Sequence, residues 1–116
     1  MATGHGVTGA TTVSVQDAER IARVMSALAT ASRVRILARL RQEPCSVGDL
    51  AQSLEMAQPA VSQQLRILRD LDLISGVRSG RQTLYSVHDS HVAQLLEEAL
   101  RHIDHLRPAV AIAVPQ

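Results

Sequence analysis

Four side chains near the C-terminal end have the chemistry of a metal site: Asp89 and His91, then His102 and His105, a D-x-H pair followed by H-x-x-H. Carboxylate oxygen and imidazole nitrogen are the usual donors for first-row divalent ions. Spacing decides how they could act together. His91 and His102 lie eleven residues apart (91 to 102), which at ~100° per residue puts them near one face of a helix but roughly 16 Å apart along its axis. Side chains so distant cannot share an ion within one straight helix. If a second copy of the helix lies antiparallel, Asp89 and His91 of one chain meet His102 and His105 of the other. The spacing therefore predicts a homodimer with two symmetric four-ligand sites. Asp89 is equally suited to N-cap the apolar helical run that begins at D-S-H-V, and the two roles are compatible, because a non-helical cap lets residues 89 and 91 point the same way.

The elements that must position these groups are mostly helical. Residues 1–14 are rich in Gly, Thr and Ala and read as a flexible tail. A helix over about 15–29 carries Ile21, Val24, Met25 and Leu28 at i, i+3, i+4, i+7. A second helix runs through Ile36, Leu37 and Leu40 and ends before Pro44. Ser46 can cap a third, about 47–54, and a tight turn at 55–58 leads into a fourth, about 59–71, with Pro59 in its first turn. The period then changes from 3.6 to 2: Leu73–Val77 and Thr83–Val87 read as strands joined through R-S-G-R. The last helix, about 90–106, places Val92, Leu96, Ala99, Ile103 and Leu106 in the alternating four-three spacing of a helix that packs on a like partner. Residues 15–106 thus form one domain and 107–116 a C-terminal tail. The expected fold is mainly α with a β-hairpin wing: a winged helix-turn-helix, homodimeric through its terminal helices.

That topology suggests what the polar face of the fourth helix does. Gln58, Ser62, Gln63, Gln64, Arg66 and Arg69 lie opposite or beside its apolar side, and Arg78 and Arg81 flank the hairpin tip. Amides and hydroxyls can read base edges in a major groove, and guanidinium groups suit guanine or phosphate. These eight residues are the candidate contacts to double-stranded DNA. Each taken alone could be an ordinary solvated position.

Composition narrows the alternatives. With 116 residues, a formal net charge of +1 and Tyr85 as the only aromatic, the chain is one small domain whose DNA contacts must come from local clustering of its twelve arginines. No secretory signal and no apolar run of membrane-spanning length is readable, and one cysteine excludes an intrachain disulfide framework. The expected location is cytoplasmic, with no membrane partner and no small organic substrate. Outside the four-ligand set there is no readable nucleophile–base pair, and a closed site leaves no position for substrate, so an enzyme is not expected.

From Ala27 to Leu106 the chain resembles the ArsR/SmtB family of metal-responsive bacterial repressors. The resemblance is carried by L-A-T-A-S-R-V-R-I-L at 28–37, D-L-A at 49–51, P-A-V-S-Q-Q-L-R-I-L at 59–68, G-R-Q-T-L-Y-S-V at 80–87 and the D-x-H…H-x-x-H stretch at 89–105. It implies a dimeric repressor that holds operator DNA when metal-free and releases it on binding metal at Asp89, His91, His102 and His105. Some members carry a second site with paired cysteines; here E-P-C-S-V-G-D-L offers only Cys45, so a thiolate site is rejected. Position 63 is Gln where many relatives have His.

Which metal the resemblance implies depends on the tail. One carboxylate and three imidazoles suit tetrahedral Zn²⁺, whereas Ni²⁺ or Co²⁺ takes further ligands. G-H-G-V at 4–7 and H-V-A-Q-L-L-E-E-A at 91–99 are similar to the nickel/cobalt-sensing mycobacterial branch of the family, which makes His5 a fifth candidate ligand. Here Met-Ala-Thr precede Gly4, and no His follows His105. Ni²⁺/Co²⁺ is the expected effector and Zn²⁺ the alternative. A metal-independent repressor, either constitutive or switched by Cys45, is the rival on the same fold. A metal-buffering winged helix that touches no DNA is the rival of another class.

Overall fold

The computed structural model describes residues 12–113, with side chains through Asp104. Its elements are α1 (Val15–Ala27), α2 (Ala31–Leu40), α3 (Val47–Leu54), α4 (Gln58–Asp70), β1 (Ile74–Ser79), β2 (Gln82–Val87) and α5 (Ser90–Ala113). This is the winged helix-turn-helix that the sequence predicts: α3 and α4 are the helix pair, and the antiparallel β1–β2 hairpin is the wing.

Side-chain caps and turns fix where the helices begin and end. The Ser14 and Ser46 hydroxyls accept the backbone N–H groups of Asp17 and Asp49 at the starts of α1 and α3, satisfying amides that have no partner within the helix. Glu55 after α3 and Asp72 after α4 both take left-handed backbone, with φ of 56° and 59°. The bonds around them match in the two places. Met56 N–H donates to Ala51 O and Glu55 N–H to Gln52 O; Leu73 N–H donates to Leu68 O and Asp72 N–H to Arg69 O. Each pair closes a Schellman turn without the usual glycine. The turn between α3 and α4 is thereby held at three residues, 55–57.

The core is a single apolar cluster. Ile36, Leu37 and Leu40 of α2, Leu50 of α3, and Val61, Leu65 and Leu68 of α4 meet Leu73, Ile74, Val92 and Leu96, all buried. The apolar side of each helix faces this cluster, as its i, i+3, i+4 spacing requires. Cys45 belongs to it too. Its backbone exchanges both hydrogen bonds with Tyr85, at 2.9 and 2.8 Å, adding a one-residue bridge to the wing. Gly76 faces Tyr85 in the β1–β2 register, and a Cβ there would lie 2.9 Å from the Thr83 methyl.

The wing and the last helix are longer than the sequence suggests. Pairing continues out to Ser79 opposite Gln82, because the reversal needs only Gly80 and Arg81. Gly80, at φ +65°, takes the first loop position, which a type II′ turn reserves for glycine. Likewise α5 runs through Pro108 to Ala113 instead of ending near 106. Proline removes one main-chain donor there, but Ala109, Ala111 and Ala113 are strong helix formers.

The two terminal helices differ from the rest. On α1 only Val24, Ala27 and Leu28 touch the core, while Ile21 and Met25 are about half exposed. On α5, Val92 and Leu96 are buried, but Leu100 and Ile103 are exposed. Among the described residues no helix is long and apolar enough to cross a membrane.

Candidate metal centre and nucleic-acid interface

The wing returns to the core at His88, whose N–H donates to Leu73 O at 2.9 Å, and α5 starts two residues later. Asp89 occupies the corner. Its Oδ1 accepts the backbone N–H groups of His91 at 3.0 Å and Val92 at 3.2 Å, so it is the N-cap of α5. The His91 Nδ1 stands 3.6 Å from Asp89 Oδ1, so carboxylate and imidazole lie side by side at the helix start. Slight desolvation works against the charged form of Asp89, but the N–H bonds from Val92 and His91 and the nearby imidazole outweigh it and hold the carboxyl below its ordinary range. An anion at a helix N-terminus also meets the positive end of the dipole.

His102 lies eleven residues further along α5, exposed like Asp89 and His91. His105 is on the same helix, with its side chain outside the described residues, and His5 lies outside them altogether. Among the described residues of one chain no three metal-ligating groups come together. The structure thus unites Asp89 with His91 and leaves His102 apart from them. An ionised carboxylate and imidazoles open to solvent are donors that suit a divalent ion, but one chain holds only part of a set.

Six of the eight candidate DNA contacts fall into two grooves. The first, of about 450 Å³, runs between α3, α4 and β2 and is lined by Ser62, Arg66 and Arg69 together with Tyr85. The second, of about 480 Å³, lies between α3 and the wing, with Gln58, Arg78 and Arg81 on its walls. Arg78 Nε donates to Gly80 O at 3.1 Å, which steadies the hairpin tip. Gln63 is exposed on α4. The short turn after α3 and the core contacts of Val61, Leu65 and Leu68 direct this polar face outward.

Gln64 differs from its neighbours. It is half-buried, and its Oε1 accepts from Arg33 Nη1 at 3.0 Å. Sequence reasoning overlooked Arg33, because nothing in the local pattern of α2 marks a residue whose partner is 31 positions away. Cys45 is buried, and burial first of all pushes its thiol above the ordinary value, with Arg39 opposing. A shielded, protonated thiol is a poor nucleophile, which weighs against a switch at Cys45.

Residues 30–75 match the family model described as bacterial regulatory protein, arsR family. Over 107 residues the chain is 50% identical to the HTH-type transcriptional regulator NmtR of Mycobacterium tuberculosis (strain ATCC 25618 / H37Rv), covering 89% of each chain. The solution structure of apo-NmtR superposes with a TM-score of 0.71, covering 89% of this chain and 90% of that one. A transcriptional repressor SmtB homolog of Synechocystis sp. (strain ATCC 27184 / PCC 6803 / Kazusa) is 40% identical over 91 residues, 78% of this chain and 69% of the relative. The homodimeric winged helix-turn-helix DNA-binding domain (fragment 1-100) Mb0332 from Mycobacterium bovis, a possible ArsR-family transcriptional regulator, has a TM-score of 0.73 at 26% identity, covering 89% of this chain and 91% of that one.

Proposed function

The chain belongs to the ArsR family and is a transcription regulator rather than an enzyme; from that premise we propose that it is a homodimeric, metal-responsive repressor released from operator DNA by Ni²⁺ or Co²⁺. The observation that carries this reading is the arrangement on α5. A capped, ionised Asp89 stands beside an exposed His91, and His102 follows eleven residues later, too far along the helix to join them within one chain. Asp89 and His91 of one protomer, with His102 and His105 of the other, would hold the ion, and His5 would extend the set. The exposed Ile21, Met25, Leu100 and Ile103 support pairing through α1 and α5, since covering such a surface is favourable. The homodimeric Mb0332 domain supports the same assembly.

When bound, the ion supplies a bond between two α5 helices. The chain's own residues do the rest. Asp89 keeps its carboxylate fixed to the first turn of α5, whose Val92 and Leu96 are packed into the core that also carries α4. A change in the angle between paired α5 helices therefore moves the two α4 helices. On DNA those helices would lie in successive major grooves roughly 34 Å apart, with Ser62, Gln63 and Arg66 toward bases and Arg69, Arg78 and Arg81 toward phosphate. The coupling is reciprocal: operator DNA must weaken metal binding by the same factor.

A second reading, a Zn²⁺ sensor, is favoured by one feature, that Asp89, His91, His102 and His105 are four candidate donors that would make a tetrahedral set across a dimer without the tail. Absorption spectra of the Co²⁺-loaded protein, with and without residues 1–6, test both. Weak visible bands that intensify on truncation support five or six ligands including His5, and so the nickel/cobalt reading. Intense bands unaffected by truncation support zinc. No bands that depend on His102 would remove the α5 site from either reading.

A further inference from the structure

Arg33 is the one described side chain that hydrogen-bonds two other helices at once. From the third position of α2, its Nε donates to Ala27 O at 2.7 Å, its Nη2 reaches Ser26 O at 3.5 Å, and its Nη1 donates to Gln64 Oε1 at 3.0 Å. Ser26 and Ala27 are the last two residues of α1. Carbonyls at a helix end lack partners within the helix. Ser26 O also accepts from Ala29 N–H at 3.1 Å, so Ala27 O is the main acceptor, and a cation there meets the negative end of the dipole. Gln64 is in the middle of α4, next to Gln63 and two residues from Ser62. The guanidinium therefore joins the base of α1 to the back of the helix that carries the DNA face.

The attachment of α1 gives this contact weight. Its first turns are exposed, and it meets the core only through Val24, Ala27 and Leu28 at its C-terminal end. Apolar contacts at one end are non-directional and leave the helix able to swing about that end. A planar guanidinium, with donors in fixed directions, removes that freedom in a way a flexible ammonium does not. We infer that Arg33 is a positioning residue that sets the angle of α1 against α4, and so fixes the distance between the two recognition helices of the dimer. This rests on the dimeric, DNA-binding reading above. Gln64 is then the acceptor that Arg33 holds, and its neighbours Ser62, Gln63 and Arg66 read the DNA.

Spacing is the property to measure. An inverted repeat is first selected by the full chain from a random duplex library, and its spacer is then lengthened or shortened by single base pairs. Arg33→Met keeps the length of the side chain and removes every donor. It should lower affinity for the selected repeat by about tenfold and flatten the preference among spacer lengths. Binding to an unrelated duplex, which needs only the exposed arginines, should stay unchanged. Arg33→Lys should restore little of the preference. Gln64→Met should act in the same direction more weakly, and its effect should disappear in the Arg33→Met background.

An Arg33→Met dimer that keeps the sharp spacer preference overturns the inference. So does a Gln64→Met effect that is additive with Arg33→Met and confined to one base-pair identity, since that marks Gln64 as a base reader. If Arg33→Met does not fold, the spacer profile of Gln64→Met decides between the same two outcomes. A full chain that selects no duplex, or is a monomer by sedimentation, overturns the functional reading and this inference with it. A selecting dimer whose variants keep its spacing overturns this inference alone.

Discussion

Apart from Val77, α3, α4 and the wing bury or half-bury their apolar side chains within one chain, whereas α1 and the described part of α5 beyond Leu96 leave large ones exposed. In the first region Leu50, Val61 and Leu68 are wholly inaccessible, each helix ends in a hydrogen-bonded turn, and polar side chains remain on the outer face. In the second, Ile21, Met25, Leu100 and Ile103 stand exposed on helices that carry or adjoin the candidate ligands. Residues of the same type and periodicity are satisfied in one place and unsatisfied in the other. The difference separates a unit complete in one copy from a surface that the proposed dimer would cover.

The contrast is broken most forcefully in the core. Leu68→Ala should cost about 3 kcal/mol in chemical denaturation, by an amount independent of protein concentration. Ile103→Ser should leave that local stability nearly unchanged and instead raise the dimer dissociation constant in sedimentation. If Ile103→Ser matches Leu68→Ala in size and is equally insensitive to concentration, the two regions are not distinct.

At the candidate metal site, His102→Ala should weaken Ni²⁺ binding by at least about a hundredfold in a competition titration. DNA affinity without metal should hold. Asp89→Asn sharpens the result, because asparagine caps nearly as well as aspartate while losing the charge. It should keep helix content and lose metal affinity, whereas Asp89→Ala should lose both. The sign of the Asp89 shift fixes the acid behaviour of the cap. A carboxyl held below its ordinary value contributes above that value and is lost only as pH falls through the lowered one. Circular dichroism of α5 should therefore be flat from pH 7 to about 5.

On the DNA side, Arg66→Ala should weaken duplex binding by roughly tenfold and relax discrimination at the base pair it faces, with metal affinity intact. Unchanged operator affinity in a fluorescence titration would remove Arg66 from the contact set. The smallest effect is expected at the turn after α3. Glu55→Gly relieves a left-handed non-glycine residue and should raise stability by up to about 1 kcal/mol. Asp72→Gly should gain less, because aspartate tolerates that conformation better.

Where local physics acts alone, the sequence is readable. Ser46 before V-G-D-L marks α3 to the residue, and the apolar spacing of α4 separates its buried side from Ser62, Gln63 and Arg66. The errors arise where a distant or unusual partner intervenes. Glycine is the usual signal for a Schellman turn, and here Glu55 and Asp72 take its place. The wing extends further because two residues suffice for its reversal, which a four-residue reading of R-S-G-R does not anticipate. Position 64 lies next to Leu68 on the wheel of α4, at the edge of its apolar side, so its half-burial is readable in the sequence; its partner Arg33, 31 positions away, is not. For the candidate ligands the spacing of Asp89, His91 and His102 was legible, and the structure supplies the cap that orients the first pair.

The double use of Asp89 bears on how such chains diverge. A descendant that abandons its effector can lose His91 or His102 with little harm to the fold, because both are exposed and neither imidazole anchors the core. It cannot lose the cap at position 89 so freely, since the start of α5 depends on a side-chain oxygen there, which asparagine would keep and alanine would not. A capping residue at this corner is therefore expected with or without an effector and by itself carries little diagnostic weight. On the proposed reading, the exposed His91 and His102 are what bears on whether such a chain responds to metal.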